Sequence, residues 1–317
     1  MVTSLKDRNR PRRGTASESQ YSLFEFMADF PDDAACLTWL WRTRYSPDGE
    51  HAACPKCGVE RKFRRYATEQ QRQSWTCTTC GHHLHPTAGT IFEGSSTSLH
   101  LWFYGVYLMT STRCGISAKQ LERELGVTYK TAWRMFHLIR ALLAEDVTDL
   151  QGTVEVDETY IGGKPRYRSG ALPGTHSERV KAAMEKKVKV LGMVERGGRI
   201  RVTVNPPGPL AANVREHVLP QTNVYTDEAP HYWSLGKDGY RHSRVHHKQR
   251  VYASGDVHTN TIEGFWSHIK RGISGVYHAV SAKYLQMYLD EYTFRYNHRD
   301  DGRAMFEIVT ERAASGV

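Results

Sequence analysis

Apolar positions in this chain repeat first with a helical period and later with a strand period. Leu23, Phe24, Phe26, Met27 and Phe30, then Ala35, Leu37, Leu40 and Trp41, recur at the spacing of helix faces, with Pro31 between the two groups. The pattern predicts short helices on either side of that proline. Further on it predicts helices over Leu99–Ser111, 117–125 and 128–143. From about residue 151 the period shortens. Thr153–Ile161 is predicted as a strand. Val188–Glu195 and 199–205 are predicted as a hairpin around Gly197-Gly198, and Asn223–Thr226 as a short strand. Helices are expected over 211–219, 260–273 and 281–296. Strands first, then helix alternating with strand, predict an α/β domain with a mixed sheet.

Charge changes this picture by naming a partner class. The 317 residues carry a formal net charge of +9, with a pI near 9.2. A surplus of that size favours an anionic partner, either nucleic acid or a membrane surface. No run approaches the ~18 apolar residues that span a bilayer, and the first residues lack an apolar signal core. A cytoplasmic, nucleoid-associated protein without a membrane partner is therefore expected. The length suggests two or three domains, and no repeat of solenoid period is present. The expected division is a disordered basic arm (1–20), a helical lead-in with a Cys-rich module (21–95), a helical region (96–150) and an α/β domain (151–317). The arm carries Lys6, Arg8, Arg10, Arg12 and Arg13, and a plain solvated tail is an equal reading of it. Residues 162–187 form a Gly-, Lys- and Arg-rich insert, read as a flexible loop or as a contact to DNA or a second subunit.

Four of the six cysteines stand as two C-x-x-C pairs, Cys54/Cys57 and Cys77/Cys80. Each pair makes a tight knuckle that aims two thiolates at one centre, and two knuckles complete a tetrahedral zinc site. Gly58 and Gly81 follow the knuckles, where the backbone needs positive φ. Four thiolates leave no open position, so the expected zinc is structural. Residues 61–66 and 73–76 are predicted as ribbon strands whose basic and aromatic side chains face phosphates. Cys36 and Cys114 sit in apolar, helix-like contexts and are expected to be buried free thiols.

Ser117 opens a capping box with Gln120, Gly126 makes a turn, and Thr128 caps the next helix. Ala118, Leu121, Val127, Ala132 and Ile139 fit the packing of a helix-turn-helix. Its second helix would present Thr128, Tyr129, Lys130 and Arg134 to the major groove. A plain helical hairpin with a glycine turn gives a similar pattern.

The strongest chemistry lies in three carboxylates. Asp157 falls inside the strand VEVDETYIGGK, flanked by β-formers where aspartate is disfavoured. Asp227 closes the run Val224-Tyr225-Thr226. Glu263 opens the helix in HTNTIEGFWSHIKR. Three carboxylates on separate elements of one α/β core can hold two Mg2+ (or Mn2+) ions for in-line attack on phosphorus. Asp157 would bridge both ions, Asp227 would bind one and Glu263 the other. Alternatives stay open. Asp227 also suits a turn or helix cap, Asn260 and Glu263 also suit a capping box, and Glu155, Glu158 and Glu228 are further carboxylates. Lys270 lies two helical turns beyond Glu263 on the same face, where it could hold DNA phosphate, with His268 and Arg271 beside it. Phe265 and Trp266 read as packing residues.

The segments VEVDETYIGGK, VYTDE and HTNTIEGFWSHIKRGISGVYH resemble those of bacterial insertion-sequence transposases of the Asp-Asp-Glu type with an N-terminal zinc ribbon. The resemblance runs from Phe30-Pro31-Asp32 through Tyr296-Asn297-His298-Arg299. It implies a ribonuclease H-like catalytic domain. It also implies cleavage at transposon ends and transfer of 3′-ends into target DNA. Asp157, Asp227 and Glu263 take the metal-ligand roles and Lys270 the basic role. Some relatives use Asn in the third acidic position, which makes Asn260 an alternative to Glu263. Double-stranded DNA, both transposon ends and target, is the implied partner, bound by a homo-oligomer. The alternatives are a non-catalytic zinc-ribbon and helix-turn-helix regulator, which leaves the acidic trio without a purpose, and a structure-specific nuclease that cleaves without joining.

Overall fold

The computed structural model describes residues 21–66, 74–162, 187–227, 229–245, 256–301 and 304–316. The basic arm and nearly all of the basic insert lie outside the described residues, as does Glu228.

The lead-in forms α1 (Leu23–Asp29) and α2 (Asp33–Arg44). Ser22 and Glu25 close a reciprocal capping box at the start of α1, and Asp32 accepts the Ala35 amide at the start of α2. Pro31 lies between them, as its inability to continue a helix requires. The Cys-rich module is a four-stranded antiparallel sheet of β1 (His51–Ala53), β2 (Glu60–Tyr66), β3 (Ser74–Cys77) and β4 (His83–Leu84). Its small core is completed by α2. Trp41 stacks on Trp75 with ring centroids 4.8 Å apart, and Leu37 joins Phe63 and Leu84 beneath.

Next come α3 (Leu99–Ser111), α4 (Ala118–Leu125) and α5 (Tyr129–Ala141). Ser117 caps α4 through the Gln120 amide, but the Gln120 side chain bonds forward to Glu124, so only half of the capping box forms. Thr128 caps α5. Ala118, Leu121, Ala132 and Ile139 are buried in one apolar cluster, with Val127 packed against it. Cys36 is buried as expected. Cys114 is not: it falls in the turn between α3 and α4 and is exposed. Its carbonyl accepts from the Tyr292 hydroxyl at 2.9 Å.

The C-terminal half is built on one mixed sheet. Its strands are β5 (Thr153–Ile161), β6 (Val188–Glu195), β7 (Ile200–Val204), β8 (Asn223–Thr226) and β9 (Arg241–Arg244), in the order β7-β6-β5-β8-β9. β6 runs antiparallel to both β5 and β7, whereas β8 is parallel to β5 and β9 parallel to β8. Val154, Val156, Leu191 and Met193 turn to one face, where α6 (Leu210–His217) covers them. Val190 and Val194 turn to the other, beneath α7 (Asn260–Gly272) and α8 (Leu285–Asn297). α9 (Met305–Ser315) returns to the helical cluster around α3. A buried ion cluster ties the two halves together. Glu291 on α8 lies 2.6 Å from both Arg140 on α5 and Arg295, and the Arg140 guanidinium is sandwiched 3.5 Å from the Phe136 and Tyr288 rings.

Gly192 sets how closely α7 approaches the sheet. A Cβ there would lie 2.5 Å from the Trp266 ring and 2.8 Å from Ile262. Gly192 is opposite Asp157 in the β5–β6 register. Gly192→Ala is therefore expected to push α7 outward at the level of Asp157 and to destabilise by about 1–3 kcal/mol. Chemical denaturation measures this; an unchanged midpoint would mean that the helix gives way freely.

Candidate active site and cysteine cluster

β5 and β8 lie side by side and parallel, with Val156 opposite Thr226 as the last pair. The next residue on each strand is Asp157 and Asp227. The register alone thus brings together two carboxylates that are far apart in sequence. Asp157, Glu158 and Asp227 each offer an oxygen within 4.8 Å of the others. Asp157 and Glu158 leave β5 toward opposite faces, and both reach the gap beyond the end of β8. Asp227 Oδ1 accepts the Ala229 amide at 3.0 Å, so the turn role and the cluster role coexist.

α7 supplies the facing wall. Its Trp266 is buried against the sheet, and the indole Nε1–H donates to Asp157 Oδ2 at 3.0 Å. One Asp157 oxygen is so held toward the helix. Glu263 and Lys270, one turn before and one turn after Trp266, are exposed and line a cleft of about 690 Å³ together with Asp157, Glu158 and Arg271. Glu263 is not part of the tight three-carboxylate group; its Oε1 accepts from the Thr259 hydroxyl at 2.9 Å. Ser267, but not His268, belongs to the cleft lining. His268 faces away, with Nε2 3.3 Å from the Arg113 carbonyl and its ring edge-on to Tyr292. Thr128, Lys130 and Arg134 lie on the exposed side of α5.

Burial pushes the Asp157 carboxyl up to about 6, and the charges of Glu158 and Asp227 add to this against the indole hydrogen bond. Glu158 is also raised, by burial first and then by Asp227. Carboxylates crowded this way hold protons more tightly than usual unless a cation joins them. A divalent ion fits this donor set, since Mg2+ and Mn2+ take hard oxygen ligands and one or two carboxylates suffice.

The position of α7 depends on a residue that sequence reasoning placed only among the alternative carboxylates. Glu155, two residues before Asp157 on the same face, is completely buried. It accepts the amides of Thr261 and Ile262 at 2.8 and 3.0 Å and the Thr261 hydroxyl at 2.9 Å. These amides belong to the first turn of α7, where backbone donors have no partner within the helix. The N-cap residue is Thr259, which makes no side-chain cap, so the capping box of Asn260 and Glu263, the alternative reading of those residues, does not form. Arg196 completes the arrangement. Its Nε lies 2.7 Å from Glu155 Oε1, and its other nitrogens donate to the carbonyls of Asp256 and His258.

In the N-terminal module, the sulfurs of Cys54, Cys57, Cys77 and Cys80 all lie within 4.8 Å of one another, with Cys54 and Cys80 3.6 Å apart. Zn–S bonds of about 2.3 Å in a tetrahedron place sulfurs roughly 3.8 Å apart, so the cluster has the size of a zinc site. The knuckles close as expected: Gly58 and Gly81 have φ of 71° and 73° and donate to the carbonyls of Cys54 and Cys77. Burial pushes the Cys77 thiol up, but the Cys80 and Thr79 amides outweigh it and lower the thiol to about 6. Cys77→Ser is expected to abolish stoichiometric metal in this module and to unfold it, because structural zinc contributes on the order of 10 kcal/mol to folding. The checks are zinc content by mass spectrometry and the near-ultraviolet circular dichroism of the Trp41–Trp75 stack. Retention of both by the variant would sink the assignment.

With this geometry in place, comparison with known proteins gives a family. The ISXO2-like transposase domain matches residues 149–297, which include the acidic cluster, α7 and α8. A protein of the transposable element ISH50 from Halobacterium salinarum, itself uncharacterized, is 29% identical over 270 residues, covering 82% of this chain and 90% of the relative. An uncharacterized transposase-like protein of Haemophilus influenzae is 30% identical over 87 residues, covering 27% of this chain and 69% of that one. The chain belongs to the insertion-sequence transposases, and its residues 149–297 carry the match to the ISXO2-like domain. Among solved structures, the crystal structure of the Mos1 strand transfer complex aligns with 61% of this chain and 74% of its own at 13% identity, with a TM-score of 0.21. That superposition is too poor to carry weight on fold or function.

Proposed function

We propose that the protein is a metal-dependent DNA transposase that binds the ends of its insertion sequence, cleaves them and joins the 3′-ends to target DNA. The observation that carries this reading is the meeting of Asp157, midway along β5, with Asp227, just past the end of β8, beside a cleft that Asp157 lines and whose other wall presents Glu263 and Lys270. Two antiparallel pairings followed by two parallel ones, in the order β7-β6-β5-β8-β9, support a ribonuclease H-like catalytic domain over 151–317. Asp157, Asp227 and Glu263 would hold the Mg2+ or Mn2+ ions, which supply an activated oxygen nucleophile and stabilise the leaving oxygen. Glu158 stands close enough to Asp157 and Asp227 to share that role. Lys270 and Arg271 would contact the phosphates of the strand under attack. The α4–α5 pair would serve as a helix-turn-helix with Thr128, Lys130 and Arg134 toward DNA, and the zinc ribbon would add β2, whose Arg61, Lys62, Arg64 and Arg65 are exposed.

The test uses supercoiled donor DNA carrying the element's own flanking ends. Purified protein is added with Mg2+ or Mn2+, and 3′-ends and joined products are mapped. Nicks at the element boundary followed by joints are expected. Cutting without joining would reduce the protein to a nuclease, and binding without cutting would favour a regulator.

A further inference from the structure

The catalytic cleft does not end at Lys270. A second cavity of about 540 Å³ shares Lys270 and Ser274 with it, so the two form one bent groove. Their linings differ in sign. The first arm holds three carboxylates, Asp157, Glu158 and Glu263, against Lys270 and Arg271. The second is lined by Tyr160, Lys187, Lys270, Ile273, Ser274 and His278, among others, and no carboxylate of the described residues borders it. Lys187 and Lys270 are exposed and form no ion pair among the described residues. Tyr160 is 44% exposed despite its place in a central strand.

The wall of this second arm has an unusual backbone. α7 runs straight into a π-helical turn at Ile273–Tyr277, and His278 then adopts φ 60° and ψ −39°. The His278 ring folds back, with Nδ1 3.1 Å from the Ser274 carbonyl oxygen. π-helical turns are rare and recur at functional sites. A non-glycine residue in such a conformation persists only where the surroundings demand it. Both features border the groove, within one or two turns of Lys270.

We infer that the arm from Lys270 to Lys187 and His278 seats one strand of the DNA that continues past the phosphate under attack, which rests on the transposase reading above. A groove that pairs cations with an exposed aromatic ring is the pattern that holds single-stranded nucleic acid, by backbone neutralisation and base stacking. The register places it correctly, because Ile161 at its floor is four residues beyond Asp157 on β5, about 13 Å along the strand. An unpaired strand held there has its neighbouring phosphate delivered to the carboxylates. Lys187 and His278 are the contacts, and Tyr160 is the stacking surface.

Two fluorescent duplexes from the element's terminus test this, measured by anisotropy with the full-length protein and no added divalent cation. One ends at the boundary nucleotide; in the other, one strand continues unpaired for several nucleotides. The wild type is expected to bind the extended duplex more tightly. Lys187→Gln and His278→Asn should each lose about tenfold on the extended duplex while matching the wild type on the blunt one. Asparagine tolerates positive φ, which keeps the second variant folded. The salt dependence of log K for Lys187→Gln should fall by about one on the extended duplex. Equal losses on both duplexes, or no preference by the wild type, would overturn the strand seat and leave the transposase reading standing. Absence of wild-type binding to either duplex would overturn the DNA reading and this proposal with it.

Discussion

Asp157→Asn is expected to reduce metal-dependent cleavage and joining by a factor on the order of 10³ or more, while the protein stays folded and bound to DNA. The magnitude follows from what a hard divalent ion supplies, namely several kcal/mol of charge stabilisation and an activated nucleophile. An amide keeps the shape of the carboxylate and can still accept the Trp266 indole hydrogen bond, but it carries no charge to hold the ion. Stability should move the other way. The Asp157 carboxyl sits at about 6 in the folded protein, through burial and the neighbouring charges of Glu158 and Asp227, against an ordinary value of 3.8. For an acid whose folded value is raised, the folded state binds more protons in this window, so stability falls as pH rises from about 4 to about 6. Above that window the ionised carboxylate destabilises the metal-free protein, by roughly 2–3 kcal/mol at most. Asp157→Asn removes this penalty, so metal-free Asp157→Asn should melt higher than metal-free wild type at pH 7. Mg2+ or Mn2+ should raise the melting point of the wild type and leave that of the variant nearly unmoved. Thermal denaturation with and without the ion, beside the cleavage assay, checks both halves. A variant that cuts at the wild-type rate, or that responds equally to the ion, would remove Asp157 from the metal site.

Why was so much of this legible in the chain? β5 and β8 were readable to the residue because each is a short run of β-formers broken by a carboxylate, and the carboxylate is itself the anomaly that marks a site. Gly58 and Gly81 announced the knuckles for the same reason: only one residue type is suited to their backbone. β9 went unread. Arg241-His242-Ser243-Arg244 has no apolar alternation and is held as an edge strand by its backbone pairing with β8, a partner that local periodicity cannot reveal. Cys114 was misjudged because apolar neighbours imply burial only within an element, and it stands in a turn. Glu158 was left among the alternatives because strict alternation turns it away from Asp157. Because β8 ends at Thr226, however, both side chains reach the gap beside Asp227. The start of α7 at Asn260 is legible in the sequence, but its cap is not, for a deeper reason. Capping boxes are local, whereas the acceptor here arrives from another strand, 106 residues earlier in the chain.

That distant acceptor carries the second large effect. Glu155→Ala leaves the Thr261 and Ile262 amides of the first turn of α7 without an acceptor and strips the part-buried Arg196 of its carboxylate partner. Removing one partner from a buried charge pair costs about 3–5 kcal/mol, so a large drop in the denaturation midpoint is expected. Glu155→Gln keeps an acceptor oxygen but loses the charge, and should cost about 1–3 kcal/mol. The catalytic consequence is separable from the stability loss. α7 carries Trp266 against Asp157 and presents Glu263 and Lys270 to the cleft, and a shift of about 1 Å in such a constellation can reduce turnover about 100-fold. Glu155→Gln, assayed well below its melting temperature, should therefore lose turnover while retaining DNA affinity, because the α5 and ribbon side chains proposed to meet phosphates lie away from Glu155. Trp266 reports the same event spectroscopically. Loss of its hydrogen bond to Asp157 should alter its fluorescence in Glu155→Gln, judged against a Trp266→Phe control that removes the signal. If Glu155→Gln is destabilised yet turns over normally per folded molecule with unchanged Trp266 emission, Glu155 anchors the helix without setting the site. If it is neither destabilised nor slowed, the buried carboxylate is not what holds α7 in place.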